Sequence, residues 1–203
     1  MVRRLTSVGD ADDEDHYAVI SGGLCQAFQA WANSEGVGVA ADDVEAHVLQ
    51  YKWRYLGSSL TAWVLADLDE LFLGVYPARV IVGDSELDEI LTTTASYLEF
   101  LDDAWLLDDS SDDIEVLLQR CEQLREPFRA AMHDSIRFTP SKRLWTRARD
   151  MGVDPTDERA VQTHIADFNS LSWEERGEIL GAEESPSPPD DRGRLRDSSS
   201  GDS

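Results

Sequence analysis

The residues of this 203-residue chain that could do acid–base, nucleophilic or metal chemistry are four histidines, two cysteines and a large excess of carboxylates. His16, His47, His133 and His164 are scattered. They form no H-E-x-x-H and no pair three or four residues apart, the spacing that sets two imidazoles on one helical face around a metal. His133 stands beside Asp134, a combination that can make a base. Consecutive helical residues point about 100° apart, so the simpler expectation is a histidine at a helix end, favoured by the C-terminal dipole. Paired acids recur at Asp12–Asp13, Asp42–Asp43, Asp102–Asp103, Asp108–Asp109 and Asp112–Asp113. A metal or glycosidase site needs such groups to converge in a cleft. The run Asp108–Asp113 lacks the central glycine and terminal glutamate of a calcium loop and is expected to be a surface loop. Asp67 and Glu70, three apart, are expected on the wet side of their helix. Cys25 and Cys121 sit in apolar helical patterns without a C-x-x-C and read as buried free thiols. G-x-S-x-G, Walker and dinucleotide-binding motifs are missing from the sequence. No catalytic residue, metal ligand or cofactor is therefore expected.

One stretch departs from the acidic background. Ile136–Arg149 holds Arg137, Lys142, Arg143, Arg147 and Arg149, with Trp145 among them. Arg143 and Arg147 are four apart on one helix face, and Lys142 and Arg149 lie on a neighbouring one. Such a patch can pair with carboxylates of its own chain, hold an acidic protein partner, or bind RNA phosphate. These six residues are the candidate partner- or anion-binding site.

The background itself is extreme: 41 Asp and Glu against 18 Lys and Arg, for a formal net charge of −23. The excess lies on the apolar-patterned middle of the chain as well as on its ends. A surface of this sign repels nucleic acid and anionic membranes at a distance. Only Lys52 and Lys142 are lysine. Abundant Asp and scarce Lys fit a salt-rich cytoplasm, where ions screen the repulsion; a high-GC genome also favours arginine. A nucleic-acid mimic is the competing reading of the charge. The first residues lack the apolar stretch of a signal peptide, and no run approaches the length of a membrane span, so the expected location is cytoplasmic.

The elements that must position these groups are helical. Apolar residues recur three and four apart, which predicts helices over His16–Asn33, Ala41–Leu56 (capped by Asp42 or Asp43), Thr61–Val75 (broken by Pro77), Ser85–Leu101 and Asp112–Asp134. The last should kink or divide near Glu126 because of Pro127, with Ser111 as a cap. Ser21–Gly22–Gly23 is expected to allow close packing of the first helix or to mark its start. Ala78–Val82 reads as a short extended piece. Asp102–Asp113 extends the preceding helix briefly or anchors its loop through Trp105 and Leu106. Shorter helices are expected at Ser141–Asp150, Thr156–Asn169 and Ser172–Leu180, the last with a capping box from Ser172 to Glu175. The result is an all-α, irregular multi-helix bundle of about 7–8 helices with disordered termini. Residues 1–15 form the acidic N-terminus, 16–136 the main bundle, 137–181 a small C-terminal helical unit packed on it, and 182–203 the tail.

Trp63–Val82, Thr94–Leu101 and Phe138–Leu180 resemble a largely uncharacterised group of helical proteins from haloarchaea and high-GC actinobacteria. The shared features are a Trp, an acidic helix ending in a Pro-Arg-Lys-Val-like element, a short apolar helix, and an Asn-Ser/Ala-Leu stretch before a final acidic helix. These strings cover about a third of the chain. Ala78 stands where that element usually has Arg, which weakens any anion-binding role for it. The resemblance implies a helical fold and no particular activity. The function expected is that of a non-enzymatic interaction or regulatory protein whose partner is another protein, with homo-oligomerisation an option. The alternatives are an enzyme using clustered carboxylates and a DNA-related regulator or mimic.

Overall fold

A computed structural model describes residues 14–57 and 59–181. The predicted disorder of 1–13 and 182–203 lies outside the described residues. Among those described the fold is all-α, with nine helices and no strand: α1 (Glu14–Glu35), α2 (41–56), α3 (65–79), α4 (Asp84–Asp103), α5 (Ile114–Gln123), α6 (Arg125–His133), α7 (Pro140–Asp150), α8 (Glu158–Ser170) and α9 (Trp173–Leu180). The described residues divide into two compact units, one ending at Lys142 and the other beginning at Arg143. The division falls inside α7 rather than after Ile136. Its cause is local: Thr139 donates its backbone N–H (3.0 Å) and its hydroxyl (2.8 Å) to the Ala78 carbonyl, and Lys142 donates to Pro77, tying 137–142 to the first unit.

The first unit is organised around α4, which packs against α1, α2, α5 and α6. Leu87, Ile90, Leu91, Tyr97, Leu98 and Leu101 recur at helical spacing and are all buried. Each large apolar side chain removed from water contributes about 1.5–3 kcal/mol. Phe28 of α1, Trp63, and Phe72 and Tyr76 of α3 complete the core at zero exposure. The first helix runs unbroken from Glu14, so residues 14–15 are helical. Gly22 and Gly23 are exposed with open space around them and are not packing sites.

Helices α2 and α3 depart from the regular spacing. Residues 45–49, 52–56 and 70–75 are π-helical. These widened turns are rare and occur mostly as single-turn bulges inside α-helices. Neither Asp42 nor Asp43 caps α2; the Ala41 N–H goes to Gln29 Oε1 at 3.0 Å. Pro77 does not stop α3, which continues to Arg79. A proline lacks the N–H that would bond the carbonyl four residues back, here Leu73. Arg137 supplies that bond instead, its guanidinium donating to the Leu73 carbonyl at 2.7 Å. The expected helix over 112–134 does divide, and the break falls at Leu124 because Pro127 cannot donate to Gln123. Ser111 caps nothing on α5; its hydroxyl accepts from Trp63 N–H at 3.0 Å. Both cysteines are free and buried, as expected. The Ser172–Glu175 capping box forms as read from the sequence.

Candidate functional site

The residues of the basic stretch fall in two units and have different surroundings. Arg137 donates to Leu73 O (2.7 Å) and to Asp134 Oδ2 (3.1 Å). Lys142 is 4% exposed, lies over the Phe138 ring at 4.1 Å, and donates to the Pro77 carbonyl at 2.8 Å. Both cations thus satisfy carbonyls of the last turns of α3, where the helix dipole favours positive charge. The other four residues belong to the second unit. Arg143 is partly buried, with its guanidinium close against Gly181. The Trp145 ring lies 6.3 Å from His164. Arg147 and Arg149 are exposed and have no ion-pair partner among the described residues.

His133 does not use Asp134. Its Nε2 lies 3.1 Å from Asp84 Oδ1 on α4, and Arg129, one helical turn earlier, meets Asp88 at 2.9 Å. These are rungs joining α6 to the start of α4. Asp134 instead caps the backbone N–H of Ile136 at 3.1 Å. His164 is the buried histidine, and its Nε2 has no partner among the described residues.

Several carboxylates act as fasteners. Asp67 is not on a wet face: its Oδ2 holds Lys52 Nζ at 2.6 Å and the Val64 N–H at 3.1 Å. Asp69 pairs with Arg120 at 2.7 Å. The Asp108–Asp113 run clips onto the segment before α3. Asp108 N–H donates to Thr61 O (3.1 Å), Asp112 N–H to Trp63 O (2.9 Å), and Asp112 Oδ2 accepts from Leu65 N–H (2.7 Å). Among the described residues no three His, Cys, Asp or Glu side chains gather to hold a metal.

The buried thiols and phenols are shifted away from reactivity. Burial, reinforced by Glu45 and Asp42, pushes Cys25 up to about 11, and burial pushes Cys121 up to about 12. Burial and Glu45 likewise raise Tyr17 to about 12. A thiolate is the nucleophilic form, so neither cysteine is activated. The linkage has a definite sign. The folded state keeps protons that the unfolded chain releases, so this stability is whole below about pH 9 and is lost as pH rises toward 11–12. Urea midpoints should fall steeply between about pH 9 and 11, and a Cys25→Val/Cys121→Val variant should flatten that slope. An unchanged slope would show that the thiols do not drive it.

The end of α4 carries a further feature. Where α4 ends, Leu106 N–H donates to Leu101 O (2.7 Å) and Trp105 N–H to Asp102 O (2.9 Å). This is the Schellman pattern, and it places Trp105 at the position that needs a left-handed backbone. Trp105 has φ +57 and is the one non-glycine with positive φ among the described residues. Helices α1 and α7 close with the same long bond, Val37 to Ala32 and Val153 to Ala148, and carry Gly36 and Gly152 at that position. Trp105 recovers nothing by packing, because it is 94% exposed. Its neighbours Leu106 and Leu107 pack on the core, so the expected loop anchor is those leucines and not the tryptophan. Asp103 is held by the Trp31 indole at 3.0 Å. Asp102, Asp103, Asp108 and Asp109, all exposed, flank the ring in sequence. The signal was present in the sequence: Leu101 and Leu106 are the apolar pair that accompanies a Schellman end, which marks Trp105 as the left-handed residue.

No protein-family model matches this chain, and no curated protein or solved structure matches it either.

Proposed function

We propose that this chain is a non-enzymatic interaction or regulatory protein that presents Trp105 to a protein partner. The observation that carries this reading is the double disadvantage of Trp105 in the isolated chain. A left-handed backbone costs a non-glycine residue about 1–2 kcal/mol, and the exposed indole gains no burial in return. Strained residues of this kind concentrate at contact and switch sites, and tryptophan is the side chain most enriched at interface hot spots. The flanking carboxylates favour a partner that brings arginine or lysine to the ring.

Trp105→Gly is expected to stabilise the protein by about 1 kcal/mol in urea unfolding, since glycine takes this conformation freely. The same variant should lose a stoichiometric protein that co-purifies with the wild type from its own host at the host's ionic strength. A partner retained by the variant, or destabilisation by it, would overturn the reading.

A salt-adapted setting accounts for the charge. Both lysines are buried in fixed roles, Lys52 on Asp67 and Lys142 on Pro77, so every exposed cation among the described residues is an arginine. At −23 the folded state repels itself, and added salt relieves the repulsion. The thermal midpoint should therefore rise continuously with potassium chloride well beyond physiological ionic strength. A plateau at ordinary salt would refute salt adaptation.

A further inference from the structure

The second unit carries a different observation, independent of Trp105. All members of the hydrophobic core cluster lie between Tyr17 and Met132. Among residues 143–181 only Ala148 and His164 are buried. Val161, Ile165 and Phe168 follow the spacing of one helical face on α8 and remain partly exposed, as do Ile179 and Leu180 on α9. Trp173, at the start of α9, is 75% exposed. These helices are well specified: Asp157 caps α8 by accepting from Arg159 and Ala160 N–H, and the Ser172–Glu175 box caps α9. The module therefore has defined helices, partly exposed apolar residues on α8 and α9, and one largely exposed apolar ring, Trp173.

The charges on the module indicate what covers it. Arg147 and Arg149 on α7 are exposed without an ion-pair partner among the described residues. Glu174 and Glu178 on α9 are in the same condition. In a chain this acidic, a foreign acidic partner would satisfy the arginines and leave the glutamates opposed. A second copy satisfies both at once, because a two-fold contact lets α7 of each chain meet α9 of the other. Residues 182–203 are a poor alternative cover, since Leu195 is their one large aliphatic side chain.

We propose that residues 143–181 form a self-association module. Two copies join through the partly exposed apolar residues of α8 and α9, with Arg147 and Arg149 of one chain paired to Glu174 and Glu178 of the other. Long-range repulsion between two chains of −23 opposes the contact at low salt, whereas the apolar face works at any salt. Dimerisation should strengthen as salt rises.

The test is sedimentation velocity of the full chain over a range of concentrations at low and high potassium chloride. A concentration-dependent dimer is expected at high salt. Phe168→Ser and the charge reversal Arg147→Glu/Arg149→Glu should each weaken it by on the order of tenfold. Glu174→Arg/Glu178→Arg should weaken it likewise, and an equimolar mixture of the two charge-reversed proteins should dimerise again. Restoration in the mixture also shows that the reversed modules are folded. A wild-type monomer at every concentration and salt would overturn the proposal. A dimer indifferent to these variants, or a mixture that stays monomeric, would overturn it equally. Trp105→Gly should leave the dimer intact, which separates this contact from the one proposed at Trp105.

Discussion

Replacing Asp67 by alanine is expected to destabilise the first unit by about 3–5 kcal/mol, the range for breaking one side of a buried ion pair. Asp67 does two things at once. It neutralises Lys52, which is 4% exposed, and it accepts the Val64 N–H at the start of α3. Burial lowers the Lys52 pKa from its ordinary value, and the bond to Asp67 pulls it back up. Without that carboxylate the ammonium is left over the Trp63 ring at 4.7 Å, a contact too weak to replace an ion pair. Asp67→Asn keeps an acceptor for the cap and should cost less. Lys52→Met combined with Asp67→Asn should recover most of the loss, because the penalty comes from the stranded charge and not from a missing attraction. The pH dependence has a sign. A lysine whose folded pKa is depressed binds fewer protons folded than unfolded, so the Asp67→Ala deficit relative to wild type should shrink as pH rises toward the usual lysine range. Urea unfolding of the four proteins at two pH values checks this. A deficit below about 1 kcal/mol would mean that water reaches Lys52 in the folded state.

The same residue shows what was legible in the sequence and what was not. Period-3.6 spacing placed all the long helices, because each buries one face and that need is written locally. Asp67 reads from the sequence as part of a wet face because its partner, Lys52, stands on a different helix and no local pattern connects them. Arg137 is the sharper case. Its charge was visible within a basic run, and Pro77 was visible as a break. The repair of one by the other joins positions 64 residues apart, Leu73 and Arg137. The π turns of α2 and α3 were hidden for a related reason. They arise where packing overrides local propensity, and the residues within them, such as Glu45–Leu49, are ordinary helix formers. Trp105 reads from the sequence as a loop anchor beside Leu106, yet it stands 94% exposed at the left-handed position set by the Leu101–Leu106 closure.

Phe128→Ala is expected to cost about 3–5 kcal/mol, the range for truncating a fully buried phenylalanine. The ring is at zero exposure on α6. Its edge contacts run 5.1 Å to Phe72 and 5.6 Å to Tyr76, both near perpendicular. Phe72 lies in the π turn of α3, and Tyr76 follows it, with its hydroxyl on the His47 carbonyl at 2.5 Å in the π turn of α2. Phe128 therefore packs where two rare, widened turns meet. If packing is what sustains those turns, the alanine variant should do more than lower stability. The α3 turn should relax toward regular α geometry, and the near-ultraviolet signal of the tyrosines should change while helix content holds. Phe128→Leu keeps most of the volume and should cost under about 1.5 kcal/mol. Tyr76→Phe removes only the hydroxyl and should cost about 1 kcal/mol. A leucine variant as unstable as alanine would show that the perpendicular ring contacts, and not the filled volume, hold the two helices in register. An alanine variant with unchanged tyrosine signal would show that the widened turns persist without this packing.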